Sequence, residues 1–247
     1  MSFEKKHVAI TGGTGEIGLA MAAAFSNEGA QVTLLDKVSP SGSVASAVET
    51  MGARFRQMDV TDGKSVNNVV ESLSDIDVAI ANAGVHHGAR FLDLPPENWR
   101  AMLDVNLTGA FLFCQATARR MVKRGAGGSI VLTGSWVQDI PNVDNTGYCT
   151  SKAGVAMLAR CMALELGEKG IRVNVVAPGI VNAGMARRQI QIDPAFARKA
   201  AGAIPLGRLQ TAEQVADATV FLASERAASV TGVTLLVDGG ASLFKFE

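Results

Sequence analysis

HVAITGGTGEIG, residues 7–18, decides the fold of this chain: a short apolar run leads without a break into a glycine-rich turn and the start of a helix. Gly13, Gly15 and Gly18 stand at the spacing G-x-G-x-x-G. Missing side chains there let the helix pack on the strand. They also let a diphosphate approach backbone N–H groups at the positive end of the helix dipole. The motif is weak by itself and gains weight from Asp36, which ends the next apolar run eighteen residues after Gly18. A carboxylate at that point hydrogen-bonds the diol of an adenosine ribose; the bland alternative is an aspartate that caps a loop.

Outward from this turn, short apolar runs alternate with helical stretches, as in a parallel sheet covered by helices. Strands are expected near residues 7–11, 31–35, 53–58, 77–81, 129–133, 171–176 and 233–237, and helices starting near Glu16, Ser43, Asp62, Pro96, Leu107, Gly147 and Thr211. The expected fold is therefore α/β: a Rossmann-type, doubly wound, seven-stranded parallel sheet with helices on both faces. Residues 1–247 read as a single dinucleotide-binding and catalytic domain. The stretch 180–206 mixes Gly, Arg, Gln and two prolines without a long period and is expected to be a substrate lid.

Composition limits the partners. Lys plus Arg equals Asp plus Glu, 23 each, with no basic block, so nucleic acid and anionic membranes are not expected. The N-terminal apolar run is too short for a signal peptide and nothing approaches a membrane span, which predicts a cytoplasmic location and a small-molecule substrate. Cys114, Cys149 and Cys161 are odd in number and lack paired spacing, so neither a disulfide framework nor a metal site is expected. His86 and His87, being adjacent, read as loop surface.

The chemistry lies near GYCTSKAGVAML. Tyr148 and Lys152 are four residues apart, on one face of a helix, and Ser135 precedes Tyr148 by thirteen residues. A secondary alcohol must lose its hydroxyl proton as hydride leaves carbon, and a phenol can take it. Working near neutral pH requires lowering a phenol pKa of about 10 by roughly three units, about 4 kcal/mol. The Lys152 ammonium and the charge of an oxidised nicotinamide favour the phenolate; Ser135 would hydrogen-bond the substrate oxygen. A lone YxxxK is usually a solvated helix face, so context carries the reading. Asp36 also discriminates between dinucleotides. A carboxylate about 4 Å from a 2'-phosphate costs on the order of 4 kcal/mol per phosphate charge at an effective dielectric near 20, which favours NAD. An inward-turned Lys37 would offset part of that.

With these residues the chain resembles the short-chain dehydrogenase/reductase family over nearly its whole length. The motifs are TGGTGEIG, Asp36, Asn82-Ala83-Gly84, Asp104 to Asn106, the Ser135, Tyr148 and Lys152 set, Pro178-Gly179, and VTGVTLLVDGG near the C-terminus. The resemblance implies a phosphate turn of Gly12, Thr14, Gly15, Glu16, Ile17 and Gly18, with Asp36 and Lys37 at the ribose. It sets Asp59 and Val60 beside the adenine and Asn82, Ala83 and Gly84 along the cofactor. Tyr148 and Lys152 also contact the cofactor, and Pro178, Gly179, Ile180 and Val181 lie against the nicotinamide. Asn106 completes a tetrad with Ser135, Tyr148 and Lys152, holding a water that links the lysine to solvent. The family commonly forms homotetramers, and Phe244 and Phe246 would suit an interface.

Two departures stand out. TGGTGEIG places Glu16 where family members of this length carry glycine, so its carboxylate is expected to turn outward while Gly15 makes the close approach. After Pro178-Gly179, Ala183 replaces a threonine that usually holds the carboxamide; Asn182 or the backbone would substitute. Substrate contacts are expected from Ser135, Trp136, Val137, Asn142, Tyr148 and Met185, and Arg187 and Arg188 would either close over the substrate or stay solvated. The resulting expectation is an NAD-dependent oxidoreductase interconverting a secondary alcohol (polyol, sugar or cyclic alcohol) and its ketone. The rivals are an NADPH-dependent 3-oxoacyl carrier-protein reductase and a non-catalytic dinucleotide-binding scaffold.

Overall fold

The computed structural model describes the backbone of residues 3–192 and 194–243. Its first strand, β1 (His7–Thr11), is buried at all five positions. The chain then alternates through α1 (Glu16–Asn27), β2 (Gln31–Asp36), α2 (Gly42–Thr50), β3 (Arg54–Gln57), α3 (Gly63–Ser72) and β4 (Val78–Ala81). Helices α4 (Pro96–Leu103) and α5 (Gly109–Arg124) lead to β5 (Gly128–Thr133), α6 (Thr146–Leu166) and β6 (Ile171–Pro178). Helices α7 (Gly184–Ile192), α8 (Pro194–Ala203) and α9 (Ala212–Ala223) precede β7 (Thr234–Val237).

The sheet order is β3-β2-β1-β4-β5-β6-β7, and every pairing is parallel. Buried strands alternate their side chains between two cores. Ala9, Ala79, Ile130 and Val173 join Val66, Phe113 and Met121 on one face. Val8, Ile10, Ile80 and Val131 join Met21, Phe25, Val215 and Val220 on the other. Strand order reverses between β1 and β4, which opens a crevice at their carboxyl ends.

Local chemistry explains most boundaries. Asp62 caps α3 by accepting from Lys64 N at 2.9 Å. Thr211 and Gln214 form a capping box on α9, and left-handed Gly125 ends α5 at φ +71°. Two expectations change. The helices expected to start separately near Pro96 and Leu107 run on as one, joined through a π-helical turn at Asp104–Thr108; a π turn preserves helical direction while inserting one residue, which a periodicity reading registers as a break. The irregular stretch expected at 180–206 contains α7 and α8, short helices whose apolar spacing is diluted by Arg and Gln. No helix among the described residues is long and apolar enough to cross a membrane. Phe244 and Phe246 lie outside the described residues.

Candidate active site

The phosphate turn is shaped for close approach. Gly12 takes φ +62°, and a Cβ there would lie 2.8 Å from Ala83 Cα. A Cβ on Gly18 would strike the Gly12 carbonyl, whereas one on Gly15 would meet only Gly12 O, at 3.4 Å. Gly15 is the N-cap of α1, and no side chain caps that helix. An open concavity lined by uncapped N–H groups suits a diphosphate. The Glu16 carboxylate turns outward as expected: its Oε2 pairs with Arg187 Nη1 at 3.0 Å. Arg187 Nη2 also donates to Asn182 O at 2.8 Å, so Arg187 ties α7 to the phosphate turn.

Asp36 reaches the same turn. Its Oδ2 accepts from Thr14 Oγ1 at 2.7 Å and Thr14 N at 3.2 Å, and its Oδ1 accepts from Val38 N at 3.2 Å. Lys37 does not turn in to neutralise it: Lys37 Nζ lies 2.8 Å from Asp59 Oδ2. The Lys37 hydrogen bond, helped by Thr61, holds the Asp59 carboxyl at about 2. Val60 is buried against α5 at Gly109. Asn82 braces the crevice, donating to Gly12 O at 3.2 Å and accepting from Thr133 Oγ1 at 3.1 Å. Ala83 N donates to Thr11 Oγ1 at 3.1 Å.

The tetrad residues come together. Ser135 follows β5, is 5% exposed, and stands close enough to the Tyr148 phenol to favour its ionised form. Lys152 Nζ, also buried, donates to Thr133 O at 2.8 Å and lies 5.7 Å from the centre of the Tyr148 ring. Asn106 sits in the π turn; its Oδ1 accepts from Val85 N at 2.8 Å, and its Nδ2 donates to Val85 O and Ser151 Oγ, each at 3.0 Å. Every hydrogen of that amide is engaged within the protein, so Asn106 locks the segment after β4 to α6.

Burial sets the protonation balance of the ligand-free site. Burial pushes the half-buried Tyr148 phenol up to about 12, only partly opposed by Ser135. Burial also brings the Lys152 ammonium down to about 8. In the ligand-free site burial is thus the leading influence on both groups.

The segment after Pro178-Gly179 is anchored from behind by a residue that sequence reasoning missed. Gln210 N donates to Ile180 O at 3.1 Å, and Gln210 O accepts from Asn182 N at 2.8 Å. Gly179 is packed so closely that a Cβ would come within 2.7 Å of Asp238 Cα. Ala183 is buried, and its N–H donates to Val181 O at 2.7 Å. His86 is the second missed residue. It lies on the exposed loop surface, as its sequence context implied, and there its ring stands edge-on against Tyr148, with centroids 5.3 Å apart at 89°. Its only sequence signal was adjacency to Asn82-Ala83-Gly84.

Of the substrate-side expectations, Val137 is buried and its N–H points to Ser135 Oγ at 3.4 Å. It lines a cavity of about 250 Å³ with Gln138, Pro141 and Cys149. Trp136 is half-buried and Asn142 exposed. Met185 falls in α7, but its side chain lies outside the described residues. A larger cavity of about 620 Å³ lies between α1, α2 and the start of α9 and includes no tetrad residue.

This geometry agrees with comparison to known proteins. Residues 13–242 match a family model described as enoyl-(acyl carrier protein) reductase. The chain belongs to the short-chain dehydrogenase/reductase family. It is 35% identical over 241 residues to a 2,5-dichloro-2,5-cyclohexadiene-1,4-diol dehydrogenase from Sphingobium indicum, with 95% of each chain covered. It is 37% identical over 245 residues to an L-rhamnose 1-dehydrogenase (NAD(P)(+)) from a Sphingomonas species, with 96% of each covered. The crystal structure of a gluconate 5-dehydrogenase from Burkholderia cenocepacia, in complex with NADP and tartrate, superposes with a TM-score of 0.92 at 29% identity, covering 99% of this chain and 98% of that one. The protein is a family oxidoreductase acting on alcohols with a nicotinamide dinucleotide.

Proposed function

We propose that the protein is an NAD-dependent dehydrogenase that interconverts a secondary alcohol, within the polyol, sugar and cyclic-alcohol class, and its ketone. The observation that carries this reading is the convergence of Ser135, Tyr148 and Lys152 on one point beside the crevice. A dinucleotide fits these residues: the glycine cradle takes the diphosphate, Asp36 the adenosine ribose, and the segment from Pro178 to Val181 the nicotinamide. When bound, the nicotinamide supplies or accepts the hydride.

The remaining work belongs to the chain. Ser135 Oγ orients the substrate oxygen, and Tyr148 exchanges the hydroxyl proton through its phenol oxygen. Lys152 Nζ stabilises the phenolate once it forms and binds the nicotinamide ribose. Asn106 holds the backbone along which Lys152 reaches solvent. Arg187, bridging to Glu16, fastens helices α7 and α8 as a lid over the substrate, within a single domain.

The preference for NAD rests on Asp36 and on the engagement of Lys37 by Asp59, which keeps Lys37 from turning in toward a 2'-phosphate. NAD is mostly oxidised in cells, so the reading leans toward alcohol oxidation in the cytoplasm. A homotetramer accords with exposed apolar side chains on α5 and α6, such as Phe111, Met157 and Leu164.

The test is titration of the purified protein with NADH and NADPH, then a panel of polyols, sugars, cyclic diols, cyclic alcohols and ketones with the preferred cofactor. Tighter NADH binding with turnover of one alcohol class is the expected result. Tighter NADPH binding would select the second reading, a 3-oxoacyl carrier-protein reductase, the activity named for a relative 33% identical over 246 residues. Absence of turnover with every substrate would leave a non-catalytic dinucleotide-binding scaffold.

A further inference from the structure

His86 and Asn145 form a polar pair beside the phenol that the tetrad does not use. Asn145 Nδ2 donates to Asn142 Oδ1 at 3.2 Å and to Val143 O at 2.8 Å, which uses both amide hydrogens. Its Oδ1 is thereby left facing His86 Nε2, with which it is hydrogen-bonded. A carboxamide oxygen only accepts, so Nε2 must carry the imidazole hydrogen. In a neutral ring that makes Nδ1 an acceptor, and among the described residues none donates to it.

The pair is held in place from both sides. Ala89 N donates to Asp144 O at 2.9 Å, and Arg90 Nε lies 3.0 Å from Asp144 Oδ1, joining the segment after β4 to the one before α6. Asp144 takes the left-handed backbone at φ +66°, a conformation that costs free energy and persists only where its surroundings impose it. A Cβ on Gly88 would come within 3.2 Å of His86 Cε1, so the ring is packed on that side. The exposed His86 stands beside the phenol ring, with ring centres 5.3 Å apart.

Resting on the alcohol dehydrogenase reading above, we propose that His86 is a substrate-binding group whose Nδ1 accepts a hydrogen bond from the hydroxyl on the carbon next to the reacting carbinol. The site then selects vicinal diols, the unit shared by polyols and sugars. A monohydroxy alcohol satisfies Ser135 and Tyr148 equally well but leaves Nδ1 without a donor.

The experiment compares wild type, His86→Ala and His86→Gln on the diol, polyol or sugar that the panel selects and on its analogue lacking the neighbouring hydroxyl. For the diol, His86→Ala should lower kcat/KM about tenfold, mainly through KM, as expected for one lost hydrogen bond. The deoxy analogue should change less than about twofold, and NADH affinity should be unchanged. His86→Gln, whose amide can still accept, should recover part of the loss on the diol. Equal losses on both substrates would show that His86 only supports the Tyr148 ring, overturning this proposal while leaving the dehydrogenase reading intact. Selection by wild type of an alcohol with no neighbouring hydroxyl would do the same. No turnover of any alcohol would end both readings.

Discussion

Tyr148 is the only tyrosine in the chain, so phenolate absorbance reports a single group. In the ligand-free protein its phenol lies at about 12 and the Lys152 ammonium at about 8. Lys152 is then already neutral when the phenol begins to ionise. Raising a phenol from about 10 to about 12 corresponds to about 3 kcal/mol, an upper figure because the ring is only half-buried. Near pH 10, where an ordinary tyrosine is half ionised, the ligand-free protein should show almost no phenolate. An ammonium 5.7 Å from the ring centre contributes about 3 kcal/mol at an effective dielectric near 20, about 2 pKa units. Bound NAD supplies a fixed positive charge of comparable effect, which would bring the phenol to about 10. Near-ultraviolet difference titration with and without saturating NAD should therefore show the phenolate emerging about 2 units lower in the complex. A phenolate below pH about 8 in the ligand-free protein, or no displacement on adding NAD, would refute the reasoning.

Other predictions follow from the same contacts. Tyr148→Phe should lower kcat by about a hundred- to ten-thousandfold, with NADH affinity, read by fluorescence titration, changed less than about twofold. Asp36→Ala removes the charge facing a 2'-phosphate and should shift the NADP to NAD ratio of kcat/KM upward by about ten- to a thousandfold, for an effective dielectric between about 80 and 20; steady-state assays with both cofactors would read it, and an unchanged ratio would remove Asp36 as the discriminator. Burial holds His7 below the usual histidine range, where Nδ1 meets Asp75 O and Nε2 meets Thr33 Oγ1. The unfolded chain takes up that proton near pH 6.5 and the folded chain only at lower pH, so the His7 contribution to stability is present above pH about 6.5 and is lost as pH falls from there through the folded value. Thermal unfolding at pH about 7.5 and about 5.5 should show a larger fall in Tm for wild type than for His7→Gln, which cannot take up the proton.

The pattern of short apolar runs and helical stretches was enough to read the parallel sheet, because buried strands leave a local signature that needs no knowledge of their neighbours. All seven strands lie within two residues of their expected bounds. The same holds for Gly15, Gly18 and Asp36, whose spacing is dictated by one strand, one turn and the next strand. Ser135, Tyr148 and Lys152 were legible because two of them share a helix face and the third ends the adjacent strand. Tertiary structure decided what depends on distance across the chain. Glu16 found Arg187 and Lys37 found Asp59 through folded loops whose mutual approach no local period encodes. Gln210 came to anchor the segment after Gly179, and His86 came to stand against Tyr148, because β4 and β5 are neighbours in the sheet while those residues are 62 positions apart. The height of the phenol pKa belongs to the same class: residue identity names an acid, but the burial around it decides when the proton leaves.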